Sequence, residues 1–257
     1  MTQSRDVERI TRNSASAVLT ASFYDERWPR VGTTLDYTNL NRARFLVGSI
    51  VDLVRTRQPN ILDLGCGRGW LATFLSPLGP VTGVDFSPTG IAFAKANYGD
   101  DGTFLLADPD SPTLGLPADE RFDVVVCSEV IEHAPAPDAL LAQIAGFLRP
   151  GGWCMLTTPN GLLWPRFRAE PRFQENLQPI ENWLTPRQLR DAMAAAGLAV
   201  KRHEGSPVYG FAFGRGARLQ SPRIVALFER LGMERLFGRL VLPSAVYQYV
   251  AARKVSE

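Results

Sequence analysis

Three closely spaced glycines form the clearest candidate for a ligand-binding loop in this sequence. Gly65, Gly67 and Gly69 stand in the run Asp63-Leu-Gly-Cys-Gly-Arg-Gly. Glycine has no Cβ, so the backbone of such a loop can approach a ligand closely. The spacing is G-x-G-x-G, and Trp70 stands where a dinucleotide-binding G-x-G-x-x-G motif has its third glycine. The spacing therefore disfavours a nicotinamide cofactor.

Carboxylates follow the next two apolar runs. Asp85 ends one run about 22 residues after Asp63, the place where a carboxylate accepts hydrogen bonds from both hydroxyls of a ribose. Asp108 ends the next run and can accept a hydrogen bond from an exocyclic adenine amine, because a carboxylate offers only acceptors. Together the three positions predict a ligand that contains a nucleoside.

The elements that carry these residues alternate regularly from Asn60 onward. Short apolar runs and helix-length segments take turns, which predicts an α/β fold with a doubly wound, mainly parallel sheet. The predicted strands cover residues 61–64, 81–85, 103–107, 122–127, 152–157, 198–203 and 245–252. The predicted helices cover residues 69–78, 88–98, 136–148 and 185–196.

The same pattern predicts a single domain over residues 1–257. An N-terminal helical lid covers residues 1–59 and is followed by a ligand-binding core, a substrate loop and a C-terminal part with a helical insert between the last two strands. The boundaries of these parts are 60–160 for the core, 161–185 for the loop, 186–257 for the C-terminal part and 205–242 for the insert.

Five motifs in this order resemble those of class I S-adenosylmethionine-dependent methyltransferases. The small-molecule branch that includes the ubiquinone-biosynthesis O-methyltransferases is the most similar. This resemblance implies a Rossmann-like sheet of seven strands in the order 3-2-1-4-5-7-6, with the last strand antiparallel. The matching stretches are ILDLGCGRG (61–69), VTGVDFSP (81–88), LLADPD (105–110), FDVVVCSEVIEHAPAP (122–137) and LRPGGWCMLTTPN (148–160).

The resemblance also implies the cofactor and its contacts. S-adenosyl-L-methionine is the expected methyl donor, and S-adenosyl-L-homocysteine is the expected product. Gly65 and Gly67 are expected at the methionine part, Asp85 at the ribose, Asp108 at the adenine, and Ser128 with Glu129 below the cofactor. The complete expected set is Asp63, Gly65, Cys66, Gly67, Gly69, Asp85, Phe86, Asp108, Pro109, Ser128 and Glu129.

His133 is the candidate catalytic base. An oxygen acceptor of a methyl group gains from a base that takes its proton, and a partly neutral imidazole can do so near pH 7. The predicted function is therefore methyl transfer to an oxygen of a small aromatic or glycosylated metabolite. N-methylation, an NAD(P)-linked oxidoreductase and a non-catalytic cofactor-binding subunit are alternatives, as is a purely structural role of His133. His203 is predicted to lie at the surface.

A metal-assisted reaction is a second hypothesis for the same segment. Glu129, Glu132 and His133 form an E-x-x-E-H sequence, which is similar to the motif by which some related enzymes hold a divalent cation. Such a cation could lower the pKa of a substrate hydroxyl. The stretch Thr158-Pro159-Asn160 lacks the further histidine of the RNA-modifying relatives, so a metal is not expected.

Aromatic and cationic residues outside the core are the candidates for acceptor contacts. Tyr24 and Trp28 lie in the N-terminal stretch, and Trp164 and Arg166 lie in the predicted substrate loop. Their types suit an aromatic or anionic small molecule. The alternative is that the aromatic residues only pack the lid onto the core.

Composition narrows the choice of partners. A net charge of +2 gives no reason to expect a nucleic-acid partner. Three cysteines without C-x-x-C spacing indicate a reducing compartment, and we expect a cytoplasmic protein without transmembrane segments. The arginine-rich insert leaves peripheral membrane contact as an alternative to a solvated helix face. The sequence does not predict the oligomeric state.

Overall fold

A computed structural model of the protein describes residues 22–27, 35–108, 111–171, 178–206 and 221–255. Within these ranges seven strands form one sheet in the order β3-β2-β1-β4-β5-β7-β6. Strand β7 pairs antiparallel with β5 and β6, and the other pairs are parallel. This confirms the predicted topology. The strands are β1 Ile61–Leu64, β2 Val81–Asp85, β3 Thr103–Leu106, β4 Phe122–Ser128, β5 Leu148–Pro159, β6 Leu198–Ser206 and β7 Tyr247–Lys254.

Helices cover both faces of the sheet. Buried side chains of α1, α2 and α3, such as Leu46, Leu75 and Ile91, form the core on one face. Leu141 of α4 and Leu189 of α6 belong to the core on the other face. The doubly wound arrangement is therefore confirmed. The helices are α1 Tyr37–Leu53, α2 Ala72–Leu75, α3 Pro88–Tyr98, α4 Pro137–Phe147, α5 Trp164–Ala169, α6 Pro186–Ala195, α7 Pro222–Arg230 and α8 Glu234–Val241.

Several predicted boundaries differ from the structure; β5, for example, covers Leu148–Pro159 instead of 152–157, and β6 extends to Ser206. The helix expected over 69–78 is only the short α2, because tight turns flank it: the nitrogen of Ala72 donates to the carbonyl of Gly69, and that of Leu78 to Leu75. Strand β7 begins two residues later than expected because residues 242–244 form a 3-10 turn. Residues 207–220 of the insert lie outside the described residues.

The carboxyl ends of the parallel strands lie at one edge of the sheet, where ligands bind in open α/β folds. The loops after β1, β2 and β4 therefore start side by side. Residues 22–27 are helical, and Oδ1 of Asp25 accepts hydrogen bonds from the hydroxyls of Ser87 at 2.7 Å and Thr89 at 2.6 Å. This contact fixes the N-terminal segment to the start of α3. In the described part of the chain, no helix is long and apolar enough to cross a membrane.

Candidate active site

A cavity of about 470 Å³ opens at the carboxyl edge of the sheet. It lies between the loops after β1, β2 and β4, helix α1 and the segment 22–27. Most of the predicted cofactor and catalytic residues line it. Those brought together are Gly65, Cys66, Gly67, Asp85, Phe86, Ser128, Glu129 and His133, and the predicted acceptor contact Tyr24 lies with them.

The loop after β1 needs glycine at two positions to follow its path along the cavity. Gly65 and Gly67 adopt φ angles of +76° and +53°, the left-handed region that glycine tolerates best. A Cβ on Gly65 would lie 2.3 Å from Cγ2 of Val130 in the loop after β4. The loop after β1 thus packs directly against the loop after β4, with its backbone at the cavity wall.

Gly69 has a packing role instead of a ligand contact. A Cβ there would lie 2.8 Å from Cβ of Ala94 in α3 and 2.9 Å from the ring of Phe104 in β3. Helix–strand packing is the role of the third glycine in dinucleotide-binding loops. Gly69 performs this role one residue before Trp70, which instead lines the cavity.

Asp85 is a buried carboxylate held by backbone amides. Its Oδ2 accepts from the nitrogen of Gly67 at 2.9 Å, and its Oδ1 accepts from the nitrogen of Ser87 at 2.8 Å. Burial raises the pKa of Asp85, and these hydrogen bonds counteract part of the shift. A carboxylate has about four acceptor sites, so Asp85 can still accept from a ligand donor.

Asp63 and Asp108 lie outside the cavity lining. Asp63 is buried within β1, and its Oδ2 has no hydrogen-bond partner. Burial and the nearby Asp85 raise the pKa of Asp63 to about 7. Asp108 is exposed just beyond β3, and its neighbour Ala107 lines the cavity in its place. Pro109 lies outside the described residues.

Glu129 forms the floor of the cavity after β4. It is one of three described non-glycine residues with a positive φ, +58°, and its Oε1 accepts from the hydroxyl of Thr157 at 3.0 Å. The hydroxyl oxygen of Ser128 lies 2.8 Å from the same Thr157 hydroxyl. Burial raises the pKa of Glu129, although the positive charge of Arg42 and the Thr157 hydroxyl oppose this.

Arg42 of α1 is a functional candidate that the sequence analysis missed. It lines the cavity, faces the negative charge of Glu129, and its Nε is buried without a hydrogen-bond partner. The guanidinium carbon lies 5.9 Å from the ring centre of Tyr247. The only sequence signal was its position beside the apolar stripe of Ala43, Leu46 and Ile50, which indicates a residue near the sheet but not a binding role.

His133 closes a 3-10 turn after β4 and lines the cavity with 12% of its side chain exposed. Its Nδ1 lies 2.9 Å from the carbonyl oxygen of Ile180. A carbonyl can only accept, so Nδ1 carries the hydrogen and, in the neutral ring, Nε2 carries the lone pair. Burial lowers the pKa of His133. The ring is therefore oriented by Ile180, and burial favours its neutral form.

The carboxylates of the metal hypothesis do not converge. Glu132 is buried, its Oε2 accepts from the hydroxyl of Thr158 at 2.9 Å, and its Oε1 lies 3.7 Å from Nε2 of His133. Burial and the charge of Glu129 raise the pKa of Glu132 well above its ordinary value. Among the residues that the structure describes, no three His, Cys, Asp or Glu side chains are grouped to hold a metal ion.

Of the predicted acceptor contacts that the structure describes, one lines the cavity and two do not. Tyr24 lines the cavity, and Gln178 hydrogen-bonds to its hydroxyl. Trp164 and Arg166 lie away from the cavity: the ring of Trp164 packs 4.8 Å from that of Trp183, and Arg166 is exposed. Trp28 lies outside the described residues.

The prediction that His203 lies at the surface is wrong. It is 8% exposed, and its Nε2 lies 2.9 Å from Oε1 of Gln248. Sequence position suggested exposure because His203 stands between charged residues. His203 lies on β6 with its side chain buried, and its hydrogen-bond partner Gln248 lies on the neighbouring strand β7.

A family profile described as a methyltransferase domain matches residues 38–203, which include both the glycine loop and the His133 turn. The chain belongs to this methyltransferase family. The assignment to class I S-adenosylmethionine-dependent methyltransferases, made above from the five motifs, is confirmed.

Curated methyltransferases share part of this sequence. The ubiquinone biosynthesis O-methyltransferase of Hydrogenovibrio crunogenus is 33% identical over 161 residues, covering 56% of this chain and 64% of that protein. The enzyme of the same name from Thiobacillus denitrificans is 34% identical over 115 residues, covering 42% and 49%. The chain thus spans about half to two thirds of the length of these relatives.

A solved methyltransferase shares the fold. The magnesium protoporphyrin IX methyltransferase of Synechocystis PCC 6803, solved with SAH bound, superposes with a TM-score of 0.59 over 93% of this chain and 99% of that one. The two sequences are 14% identical, so the likeness supports the fold alone.

The cavity of this methyltransferase fits its cofactor in volume and chemistry. A volume of about 470 Å³ lies in the range of cavities that hold small ligands. Gly65 lets the loop backbone form part of the cavity wall, Asp85 offers acceptors for hydroxyl groups, and Arg42 offers a half-buried cation. S-adenosylmethionine carries hydroxyls, a carboxylate and an extended chain that match these features.

Proposed function

We propose that this chain is an O-methyltransferase that acts on a hydroxyl of a small aromatic or glycosylated molecule, with His133 as the base. The orientation of the His133 ring carries the proposal. Its Nδ1–H is used on Ile180, so the lone pair of Nε2 remains for an acceptor proton. The names of the curated relatives support oxygen as the acceptor atom.

The cofactor would be held by residues from four parts of the chain. Asp85 would accept hydrogen bonds from the ribose hydroxyls, and the backbone at Gly65 and Gly67 would lie along the methionine part. Arg42 would bind the methionine carboxylate by charge-assisted hydrogen bonds from its guanidinium group, which lines the cavity. Phe86, directly after Asp85, would contact the adenosine.

When bound, S-adenosylmethionine supplies an activated methyl group on its sulfonium. The protein needs to align the acceptor oxygen with that methyl group and exclude water. As the new O–C bond forms and the S–C bond breaks, the hydroxyl proton would pass to Nε2 of His133. The Ile180 carbonyl would then stabilise the imidazolium through the Nδ1–H that it already accepts.

The acceptor would enter beside Tyr24 and His133. Tyr24 and Gln178 form a hydrogen-bonded pair in this wall of the cavity, so they present an aromatic face next to a polar group. This combination suits a hydroxylated aromatic ring, which can stack and hydrogen-bond at the same time. Arg27 lines the same wall and can pair with an anionic substituent.

The test is a methyl-transfer assay with S-adenosylmethionine and a panel of phenols, catechols, aryl glycosides and aryl amines, read by mass spectrometry. We expect O-methylated products. His133→Asn keeps a donor for Ile180 but removes the base, so it should lower kcat by about 10²-fold or more. Its affinity for S-adenosylhomocysteine should change by less than about twofold, because the substitution does not alter the proposed donor contacts.

His203→Asn is the matched control, since His203 lies outside the cavity and should leave kcat unchanged. Methylation of amines alone would contradict oxygen transfer. Unchanged turnover of the His133→Asn variant would return His133 to a structural role.

A further inference from the structure

The insert between β6 and β7 ends in two helices, α7 and α8, which we call the insert hairpin (residues 222–241). Its inner side is a small core in which Val225, Phe237 and Val241 are buried. Its outer side carries large apolar side chains that contact solvent. These are Leu227 (53% exposed), Leu231 (60%), Met233 (37%), Leu236 (44%) and Leu240 (55%).

Helical spacing shows that this outer side is a second apolar face. In α8, Phe237 and Val241 are four residues apart and point inward, whereas Leu236 and Leu240 are also four residues apart and are exposed. Single exposed leucines are ordinary on protein surfaces, but a run of five on one hairpin indicates an interaction surface.

Charges on the hairpin are sorted by side. The hairpin's two acids lie on the side that meets α1, where Glu229 and Glu234 pair with Arg44 at 3.0 and 3.2 Å. In the same region, Arg235 forms an ion pair with Asp52. The outer side therefore keeps positive charge next to the apolar residues. It comes from the exposed arginines Arg223, Arg230 and Arg239.

The segment that joins the hairpin to β7 is attached to the sheet. The side-chain amide of Asn160, at the end of β5, donates to the carbonyl oxygens of Leu242 at 2.8 Å and Ala245 at 3.0 Å. Asn160 is fully buried, so these bonds are protected from water. The C-terminal end of the hairpin is thus anchored at the end of β5.

We infer that the insert hairpin binds the surface of an anionic lipid bilayer. An amphipathic helix with exposed leucines and arginines places its apolar side chains at the boundary between headgroups and acyl chains, while the cations contact lipid phosphates. The charge sorting favours this occupant, because an anionic surface is complementary to the three outer arginines. The inference is independent of the methyl-transfer reaction.

Vesicle sedimentation tests the inference on the full chain. Wild-type protein should bind vesicles of phosphatidylcholine with phosphatidylglycerol, and binding to phosphatidylcholine alone should be much weaker. Leu236→Glu combined with Leu240→Glu should reduce binding by about tenfold or more, because both side chains would leave the lipid. Val255→Glu is the control: Val255 is also 55% exposed but follows the opposite end of β7.

Two further measurements test the contribution of charge to vesicle binding and the alternative of self-association. Replacing Arg230 or Arg239 with glutamine should weaken binding to the anionic vesicles about fivefold each, and added salt should weaken it further. Failure of wild-type protein to bind anionic vesicles would overturn the inference. Light scattering tests self-association as the alternative. A wild-type dimer that dissociates on the paired leucine substitutions, together with no vesicle binding, would also overturn the inference.

Discussion

The backbone nitrogen of Gly67 donates a hydrogen bond to Oδ2 of Asp85 at 2.9 Å, which joins the loop after β1 to the end of β2. The other oxygen of Asp85 is fixed by the nitrogen of Ser87. The carboxylate is therefore oriented before any ligand arrives. Such preorganisation reduces the entropy that ligand binding must overcome.

Replacing Asp85 with alanine should weaken the binding of S-adenosylhomocysteine about 10- to 100-fold. This corresponds to roughly 1–3 kcal/mol for lost hydrogen bonds at a buried site. Calorimetric titration measures the change. Asp101→Ala is the control, because Asp101 accepts from Thr73 at 2.7 Å and lies outside the cavity. Equal affinities of the two variants would argue against a role of Asp85 in holding the ribose.

Gly65→Ala should abolish measurable binding of S-adenosylhomocysteine. The new methyl group would overlap Val130 at 2.3 Å, and alanine is also strained at a φ of +76°. The double variant Gly65→Ala with Val130→Ala removes the overlap and should recover part of the affinity. Circular dichroism would show whether each variant is folded. Normal binding by the single variant would mean that the loop does not need the close approach.

Arg42 offers a test that separates the two ends of the cofactor. Arg42→Met should weaken S-adenosylhomocysteine binding about tenfold or more, since a charge-assisted hydrogen bond to a carboxylate is lost. Binding of adenosine, which lacks the methionine part, should be unchanged. Arg44→Met, two residues further along α1 and exposed, should affect neither ligand. Equal losses for both ligands would place Arg42 elsewhere in the site.

Local signals predicted most of the fold. Ser87 and Pro88 start α3 as expected, and the hydroxyl of Ser87 accepts from the nitrogen of Gly90 at 3.0 Å. The apolar runs at β1 and β4 became fully or nearly fully buried strands. These features depend on residues close in sequence, so periodicity and capping were sufficient.

The site was predictable only where a motif marks it. Gly65, Asp85 and His133 belong to such motifs and line the cavity. Arg42 does not, because its approach to Glu129 depends on how α1 packs across the sheet. Trp164 was expected at the acceptor, but its contact is Trp183, about twenty residues away in sequence. Tertiary contacts of this kind leave no periodic signal.

Asp63 should make stability depend on pH. Its pKa is raised to about 7 in the folded protein, whereas an unfolded aspartate titrates near 3.9. The folded chain thus holds this proton longer, and stability is lost as pH rises from about 4 to 7. Asp63→Asn removes the charge, so its free energy of unfolding should exceed that of wild type by about 2–4 kcal/mol above pH 7.

Urea titrations of both proteins at several pH values measure this difference, which should vanish near pH 4. Asp101→Asn is the control for a carboxylate that has hydrogen-bond partners. A difference between Asp63→Asn and wild type that does not change with pH would contradict a buried, ionising Asp63.

The rate of methyl transfer should fall on the acidic side through protonation of His133. Burial lowers its pKa, so the fall should lie below pH 6.5, the ordinary value of histidine. Above that range Nε2 is free to accept a proton and kcat/KM should reach a plateau. The profile of His133→Asn should lack this acidic limb, although its rates are lower throughout. If the rate of the variant falls over the same acidic pH range, the titrating group is not His133. The orientation of the His133 ring by Ile180 would then have no catalytic consequence.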